Sequence, residues 1–414
     1  MGVIAEKTRS GRATALLALG LMANCVPIAT FAAVLPEIRT AWELSASQAG
    51  WIGGIYFGGY AASVPILASL TDRIDGRWVF AASSLLGAAA SLAFAGADGF
   101  WAALVLRLLG GVALAGVHMP GLKLLAERTA GRNRARGIAV YSAFYTLGAA
   151  VSFFLAGAVD AASGWRAAFA LSGLVPLVAI AALALLPPPS EPVASTAFTL
   201  DLRPLLRNRA LMAYVLGFAG NIWEVSAVRA WFVAYLAWNL GLPHHRLDVP
   251  SPAVISGLAS LAGFPASIVI AECALRWGPR AVVATCAGSV LVLLALAATA
   301  GGPSIVILPL LVLAQVASLA DASALAAGAV AAADLARRGA ALALFAFVGY
   351  TAAFIGPVAV GIALDGFGGA GNSSGWSAAF VTMALGSTAA ALAMQITPER
   401  RSLRLTAPAS CSRD

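Results

Sequence analysis

Charge is what this sequence has least of. Of its 414 residues 11% are charged and 60% hydrophobic, with a mean hydropathy of +0.88. A soluble protein of that length carries about 25% charged residues, so this chain cannot cover a water-facing surface and its solvent is largely lipid. Cysteine is scarce too: Cys25, Cys273, Cys286 and Cys411 are the four present. They show neither pairing nor metal-ligand spacing, and three lie in or beside apolar segments, where a cysteine is usually a small packing residue. No disulfide and no metal are expected. The chain also lacks a nucleotide loop, a metal-ligand cluster and a Ser/His/Asp arrangement, and its loops are too short for a catalytic domain. Neither an enzyme nor a resident cofactor is therefore expected.

In their place stand long apolar runs, each able to cross a bilayer at roughly 20 residues. Twelve are read, at about 13–35, 50–70, 78–98, 101–122, 138–160, 166–187, 210–236, 252–275, 280–300, 304–328, 340–364 and 376–396. They lack the alternation of barrel strands, which leaves helices as the spanning element. The expected class is an all-α integral membrane protein with twelve transmembrane helices.

The net charge of +8 raises the possibility of a nucleic-acid partner, and its distribution argues against one. With an even number of spans and a cytoplasmic N-terminus, 21 of the 26 Lys and Arg fall on cytoplasmic segments. Arg39, Arg166 and Arg246 fall outside, and Arg107 and Arg229 within spans. This is the positive-inside bias. It predicts a multi-pass protein with both termini in the cytoplasm, and the abundant Ala and Arg suggest the inner membrane of a high-GC bacterium. Lys7, Arg9 and Arg12 before the first apolar run resemble a signal peptide. That run is longer than a usual signal core and has a partner in the repeat described next, so a retained first helix is expected.

The sequence says nearly the same thing twice. "SGWRAAF" at 163–169 returns as "SGWSAAF" at 374–380, an offset of 211. "LGLMAN" at 19–24 pairs with "LGFAGN" at 216–221, Pro65 and Asp72 with Pro265 and Glu272, and "RG" at 136–137 with "RG" at 338–339, at offsets of 197, 200 and 202. The order never breaks while the offset drifts upward, as a duplication with lengthening loops would give. The reading is two six-helix pseudo-repeats in parallel: an N-terminal half at 1–187, a Pro-rich cytoplasmic linker at 188–209, a C-terminal half at 210–396 and a cytoplasmic tail at 397–414. Two repeats with a site between them near the midplane is transporter architecture, one half rocking against the other.

"ASLTDRIDGRW" at 68–78, between spans 2 and 3, resembles the cytoplasmic loop signature of the major facilitator superfamily. Asp72, Arg73, Gly76 and Arg77 match it if Asp75 counts as one extra residue; the leading Gly is missing, and Trp78 stands where a second basic residue is usual. "RLLGGVALA" at 107–115 and "GYTAAFIGPVAVG" at 349–361 resemble that superfamily's spans 4 and 11. The resemblance covers the whole chain, is specific for fold and is not specific for substrate. "YTLGAAVSFFLAG" at 145–157 lacks the Gly-Pro motif that family antiporters often carry in span 5, which disfavours a drug–proton antiporter. The resemblance implies that the 68–78 loop latches the halves together. Asp72, Arg73, Gly76 and Arg77, with Glu272 as the second-half counterpart of Asp72, are therefore assigned to conformational gating, plain interfacial solvation being the alternative. It also implies that spans 1, 4, 7 and 10 line a central cavity.

A charge at the bilayer centre costs about 2.5–3.5 kcal/mol on insertion scales, so such residues point to function. Glu224 lies deep in span 7, sharing a helical face with Gly217, Gly220, Asn221, Trp231 and Tyr235. It could carry a proton or bind a cationic group, or be a hydrogen-bonded structural acid. Arg229, about 140° around the helix, is no partner for Glu224. It reads as nearer the outer surface, where it can snorkel or act on substrate. Arg107 of span 4 matches a position that the resemblance ties to proton coupling or substrate charge; a structural bond to helix carbonyls is the alternative. His118 and Asp321, at similar depth on spans 4 and 10, are expected either to face each other as a gate or relay or to make separate local bonds. Asn24 is the counterpart of Asn221, and Tyr141 and Tyr145 can add aromatic walls or merely pack. Together these residues imply a proton-coupled secondary transporter, working as a monomer, for a zwitterion or organic anion. The alternatives are a drug-efflux transporter, an uncoupled facilitator and a transport-dead sensor.

Overall fold

A computed structural model describes residues 2–187, 203–243, 248–334 and 337–395. Most of the linker (188–202), the tail (397–414), Arg246 and Cys411 lie outside the described residues. The described part of the linker forms a short helix, and the next begins at Arg209.

The elements are helices α1 (Gly2–Cys25), α2 (Pro27–Ala33), α3 (Leu35–Ala41), α4 (Ala46–Leu70), α5 (Gly76–Ala95), α6 (Phe100–Ala126), α7 (Gly131–Leu174), α8 (Val178–Ala184), α9 (Arg203–Arg207), α10 (Arg209–Leu240), α11 (Pro252–Trp277), α12 (Pro279–Ala298), α13 (Ser304–Ala320), α14 (Ala322–Ala332), α15 (Arg338–Gly366) and α16 (Ser373–Gln395). Among the described residues none is in a strand. Ten helical stretches are long and apolar enough to cross a membrane, two fewer than the twelve runs read from sequence. The difference has two sources. Residues 136–184 count as one stretch, yet α7 is broken at Gly164 by φ +79°, a left-handed conformation that favours glycine. The other is α4, a 25-residue helix that is absent from the ten.

Two ends can be distinguished. One carries the loop between α4 and α5 and is called the loop end; the other, with the breaks at Gly164 and 367–372, is the far end. At the far end the first and second halves share a single core, in which Phe31, Ile52 and Phe153 pack with Trp231, Phe232 and Ala253. Toward the loop end the cores part, and that of the second half, around Leu211, Leu325 and Phe345, contains no buried residue of the first. The crossing of α4 and α15 depends on missing side chains. A Cβ at Gly54 would stand 2.3 Å from the Phe354 carbonyl, and one at Gly361 2.4 Å from that of Ala46.

The repeated phrase does the same work in each half. Trp165 and Phe169 join Phe94 in an aromatic knot, while Trp376 and Phe380 join Tyr235 in another. Its glycine does different work in the two copies. Gly164 breaks a helix, whereas Gly375 lies inside α16, where a Cβ would meet the Gly369 carbonyl at 2.4 Å.

Candidate functional site

Where the two halves meet at mid-depth, aromatic and basic side chains converge. The Tyr60 hydroxyl of α4 lies 2.8 Å from His118 Nδ1 of α6, and its ring is 4.1 Å from that of Tyr350 on α15. Tyr350 also neighbours Tyr145 of α7, whose ring lies 5.2 Å from His118. Tyr141, one turn earlier, stacks on His118 and donates to the Val117 and His118 carbonyls at 3.2 Å. Arg229 of α10 faces this group, with Tyr145, Tyr350 and Cys25 within reach of its charge. The expected outward snorkel of Arg229 does not occur. Helical side chains lean toward their helix N-terminus, and for α10 that is the loop end. Tyr60 and Tyr350 were missed because the reading of the sequence drew its candidates from spans 1, 4, 5, 7 and 10. The signal was present in the glycine-rich runs "GGIYFGGY" (53–60) and "GYTAAFIG" (349–356), which let α4 and α15 touch.

The other expected residues fall elsewhere. Glu224 and its face do not line the space between the halves; they pack inside the second half. Gly220 of that face lies against Gly386 of α16, too close for a Cβ, and Gly217 against Leu325 and Met394. Glu224 is fully buried and accepts a short hydrogen bond from Ser289 of α12, while its Oε2 has no partner. One turn earlier, Asn221 donates to the Ser318 carbonyl at 2.8 Å and to Asp321 Oδ1. Asp321, at the break between α13 and α14, also accepts from Cys286 Sγ at 3.2 Å. The expected facing of His118 and Asp321 is therefore not formed: each has its own partners in its own half. Trp231 donates to the Pro357 carbonyl at 3.1 Å and Tyr235 to that of Ala300 at 2.9 Å, so both are tied into packing.

Arg107 is likewise committed. Pro27 starts α2 and interrupts the first crossing; a proline supplies no backbone donor and leaves carbonyls without helical partners. Arg107 binds the first turn of α2 from the side, donating to the Pro27 and Ile28 carbonyls at 2.9 and 3.0 Å. Its guanidinium lies 4.3 Å from the Tyr56 ring centre. Of the alternatives weighed from sequence, the structural bond to helix carbonyls is the one formed. Asn24, 5% exposed, donates to the Gly20 carbonyl and to Ser84 at 2.8 and 3.1 Å, within the first half.

At the loop end the signature residues contact their own half. Asp72 pairs with Lys123 at 2.7 Å, Arg77 with Asp75 at 2.7 Å, and Gly76 packs on Leu124. Arg73 is exposed, and Glu272 lies 3.5 Å from Arg276. At the far end, Asp365 of α15 accepts from the backbone N–H groups of Ala46 and Ser47 at 2.9 and 2.7 Å. A residue of the second half thus caps the first turn of α4 in the first half. No sequence signal marked it, because the partners lie 318 and 319 positions away.

A family model described as Major Facilitator Superfamily matches residues 17–317. Human protein spinster homolog 1 is 24% identical over 242 residues, covering 55% of this chain and 46% of that protein. The chain thus spans about half the length of such relatives. Among solved structures, a bacterial homolog to the human lysosomal transporter Spinster, inward-facing and unoccupied, superposes with a TM-score of 0.79 at 16% identity, covering 94% of this chain and 98% of that one. The nucleoside transporter NupG superposes with a TM-score of 0.75 at 14% identity, over 94% and 100% of the two chains.

Proposed function

The chain belongs to the Major Facilitator Superfamily, and from that premise we propose that it is a secondary active transporter. It carries a small organic solute, a zwitterion or organic anion, across a bacterial inner membrane by alternating access, as a monomer coupled to protons. The observation that carries this reading is the asymmetry between its ends. A shared core closes the far end, while the loop-end core of the second half holds no buried residue of the first, and between them Phe57 and Tyr60 meet Tyr350 across the halves. A solute at mid-depth would reach this site from the loop end, taken as cytoplasmic by the distribution of Lys and Arg.

Glu224 and Asp321 are the proton-binding groups of this reading. Both are carboxyls buried inside a bundle, and neither has a basic partner among the described residues; intramembrane acids so placed are the usual elements of proton relays. They stand apart from Arg229 and the tyrosines, so coupling would pass through the packing of α10 rather than through direct contact with solute.

The test is a thermal-stability screen of the purified protein against metabolite and drug libraries at pH 5.5 and 8, beside Glu224→Gln. A ligand at 100 times its dissociation constant stabilises by about 2.7 kcal/mol. A hit whose shift depends on pH in the native protein and not in Glu224→Gln is the expected result. A hit indifferent to that substitution removes Glu224 from coupling. Flux of the hit in proteoliposomes without a proton gradient would favour an uncoupled facilitator.

A further inference from the structure

We infer that Arg229, framed by Tyr60, Tyr145 and Tyr350, is the subsite for the anionic end of a flat organic carboxylate. The inference rests on the transporter reading above and names the solute's charge and shape. Three observations carry it.

The first is position. Arg229 lies eleven residues before the end of α10 at Leu240, roughly 16 Å along the axis, and its side chain leans away from that end. Residues around it turn toward the first half: Ile222, two turns earlier, packs on the core around Tyr56 and Tyr60, and Ala230 faces Gly53. Arg229 therefore points between the halves at mid-depth, far from the water at either helix end.

The second is the missing partner. Among the described residues Arg229 has no hydrogen-bond or ion-pair partner; its Nε is buried and unsatisfied, as is that of Arg107, but the terminal nitrogens of Arg229 are unpartnered as well. The groups its charge reaches are Tyr145, Tyr350 and Cys25, none of them an acid. Arg107 shows what a structural arginine looks like in this fold, with carbonyl partners on both terminal nitrogens. A guanidinium offers five donors in a planar fork that fits a carboxylate, and an intramembrane cation left open is costly unless something fills it.

The third is the frame. Tyr60 and Tyr145 come from the first half and Tyr350 from the second, Tyr350 lying against Tyr60 and the Tyr60 hydroxyl meeting His118. Tyr145 and Tyr350 offer flat faces for a planar group, with Tyr60 fully buried behind Tyr350, and the hydroxyls of Tyr145 and Tyr350 can turn toward a carboxylate oxygen. Arg229, Tyr145, Tyr350 and His118 are only half-buried despite their depth, which leaves room beside them.

The test uses the full chain in detergent, with benzoate as the flat anion and benzamide as its neutral counterpart, measured by calorimetric titration. Native protein should bind benzoate at least about tenfold more tightly than benzamide, as expected for charge-assisted hydrogen bonds. Arg229→Gln should abolish that difference, and Arg229→Lys should keep part of it. Tyr350→Phe keeps the ring and removes a hydroxyl, so it should weaken benzoate more than benzamide. Equal binding of the two probes by native protein, absence of benzoate binding, or equal benzoate binding by native protein and a folded Arg229→Gln would each overturn the inference. Failure of the transporter reading looks different: benzoate would bind through Arg229, yet none would accumulate in proteoliposomes.

Discussion

At the scale of single residues, Arg107 and Arg229 are the same side chain in opposite circumstances, and stability should separate them. Arg107 ties α6 to the first turn of α2 through two carbonyls. Arg107→Gln removes both charge-assisted bonds and should lower stability by about 3 kcal/mol, given about 1.5–3 kcal/mol for each charged hydrogen bond. Arg229 satisfies nothing among the described residues. Arg229→Gln in ligand-free protein should therefore leave the melting temperature unchanged or raise it. Parallel unfolding curves in one detergent check both, and a loss in Arg229→Gln equal to that in Arg107→Gln would reveal a partner for Arg229. Glu224→Gln belongs to the same scale. The amide keeps an acceptor for Ser289, so the fold should survive while proton-driven uptake is lost, as a gradient assay in vesicles would read.

The element scale brings in the helix caps. Asp75 caps α5 by accepting from the Arg77 N–H at 2.9 Å, and the Arg77 guanidinium holds its carboxyl below the usual carboxylate range. A carboxyl lowered in the folded state contributes stability that is complete above its unfolded value near pH 4 and fades as pH falls through the lowered value. Protection of the Arg77 amide from hydrogen exchange should thus hold across neutral and mildly acidic pH and weaken only in strong acid. Asp75→Asn, which still caps, should remove that pH dependence. The Asp365 cap on α4 is different in kind because it joins the two halves. Asp365→Ala should cost about 1 kcal/mol of far-end closure, the usual value of an N-cap. That is about a fivefold shift toward far-end opening, readable as faster labelling of a cysteine placed at Gly53.

Much at this scale was legible in the sequence. The apolar runs became helices, and both copies of the repeated phrase anchor an aromatic knot. Other features depend on a neighbour that a single helix does not reveal. The wheel that put Gly217, Gly220, Glu224, Trp231 and Tyr235 on one face of α10 was sound as a grouping. It could not say that the glycines were there to admit α16 rather than a solute. Nor could span 4 alone say that Arg107 binds the first turn of α2. The aromatic side of the site was hidden for a third reason, since Tyr60 and Tyr350 lie on helices whose role is contact between halves.

For the molecule as a whole, the two ends cannot both be closed around the same contacts. Far-end closure here consists of the Asp365 cap, the glycine-lined crossing of α4 and α15, and the shared core. At the loop end, Asp72 spends its charge on Lys123 within its own half. Alternating access requires the first set to break and Asp72 with its neighbours to find partners in the second half. Phe57 and Tyr60 meet Tyr350 near the middle of α4 and α15, so this crossing is the natural fulcrum of a rocking motion. Two spin-label pairs test this, one at the far end on Glu43→Cys and Gly371→Cys, the other at the loop end on Arg73→Cys and Gly339→Cys. When ligand or pH moves the population, the far-end distance should lengthen as the loop-end distance shortens, and both should shift with one midpoint. Asp365→Ala should move both distances in that direction without ligand. If one pair moves while the other stays fixed, the halves do not rock as rigid bodies, and the motion lies instead in bending of α4 near Pro65 or of α15 near Pro357, the prolines inside those helices.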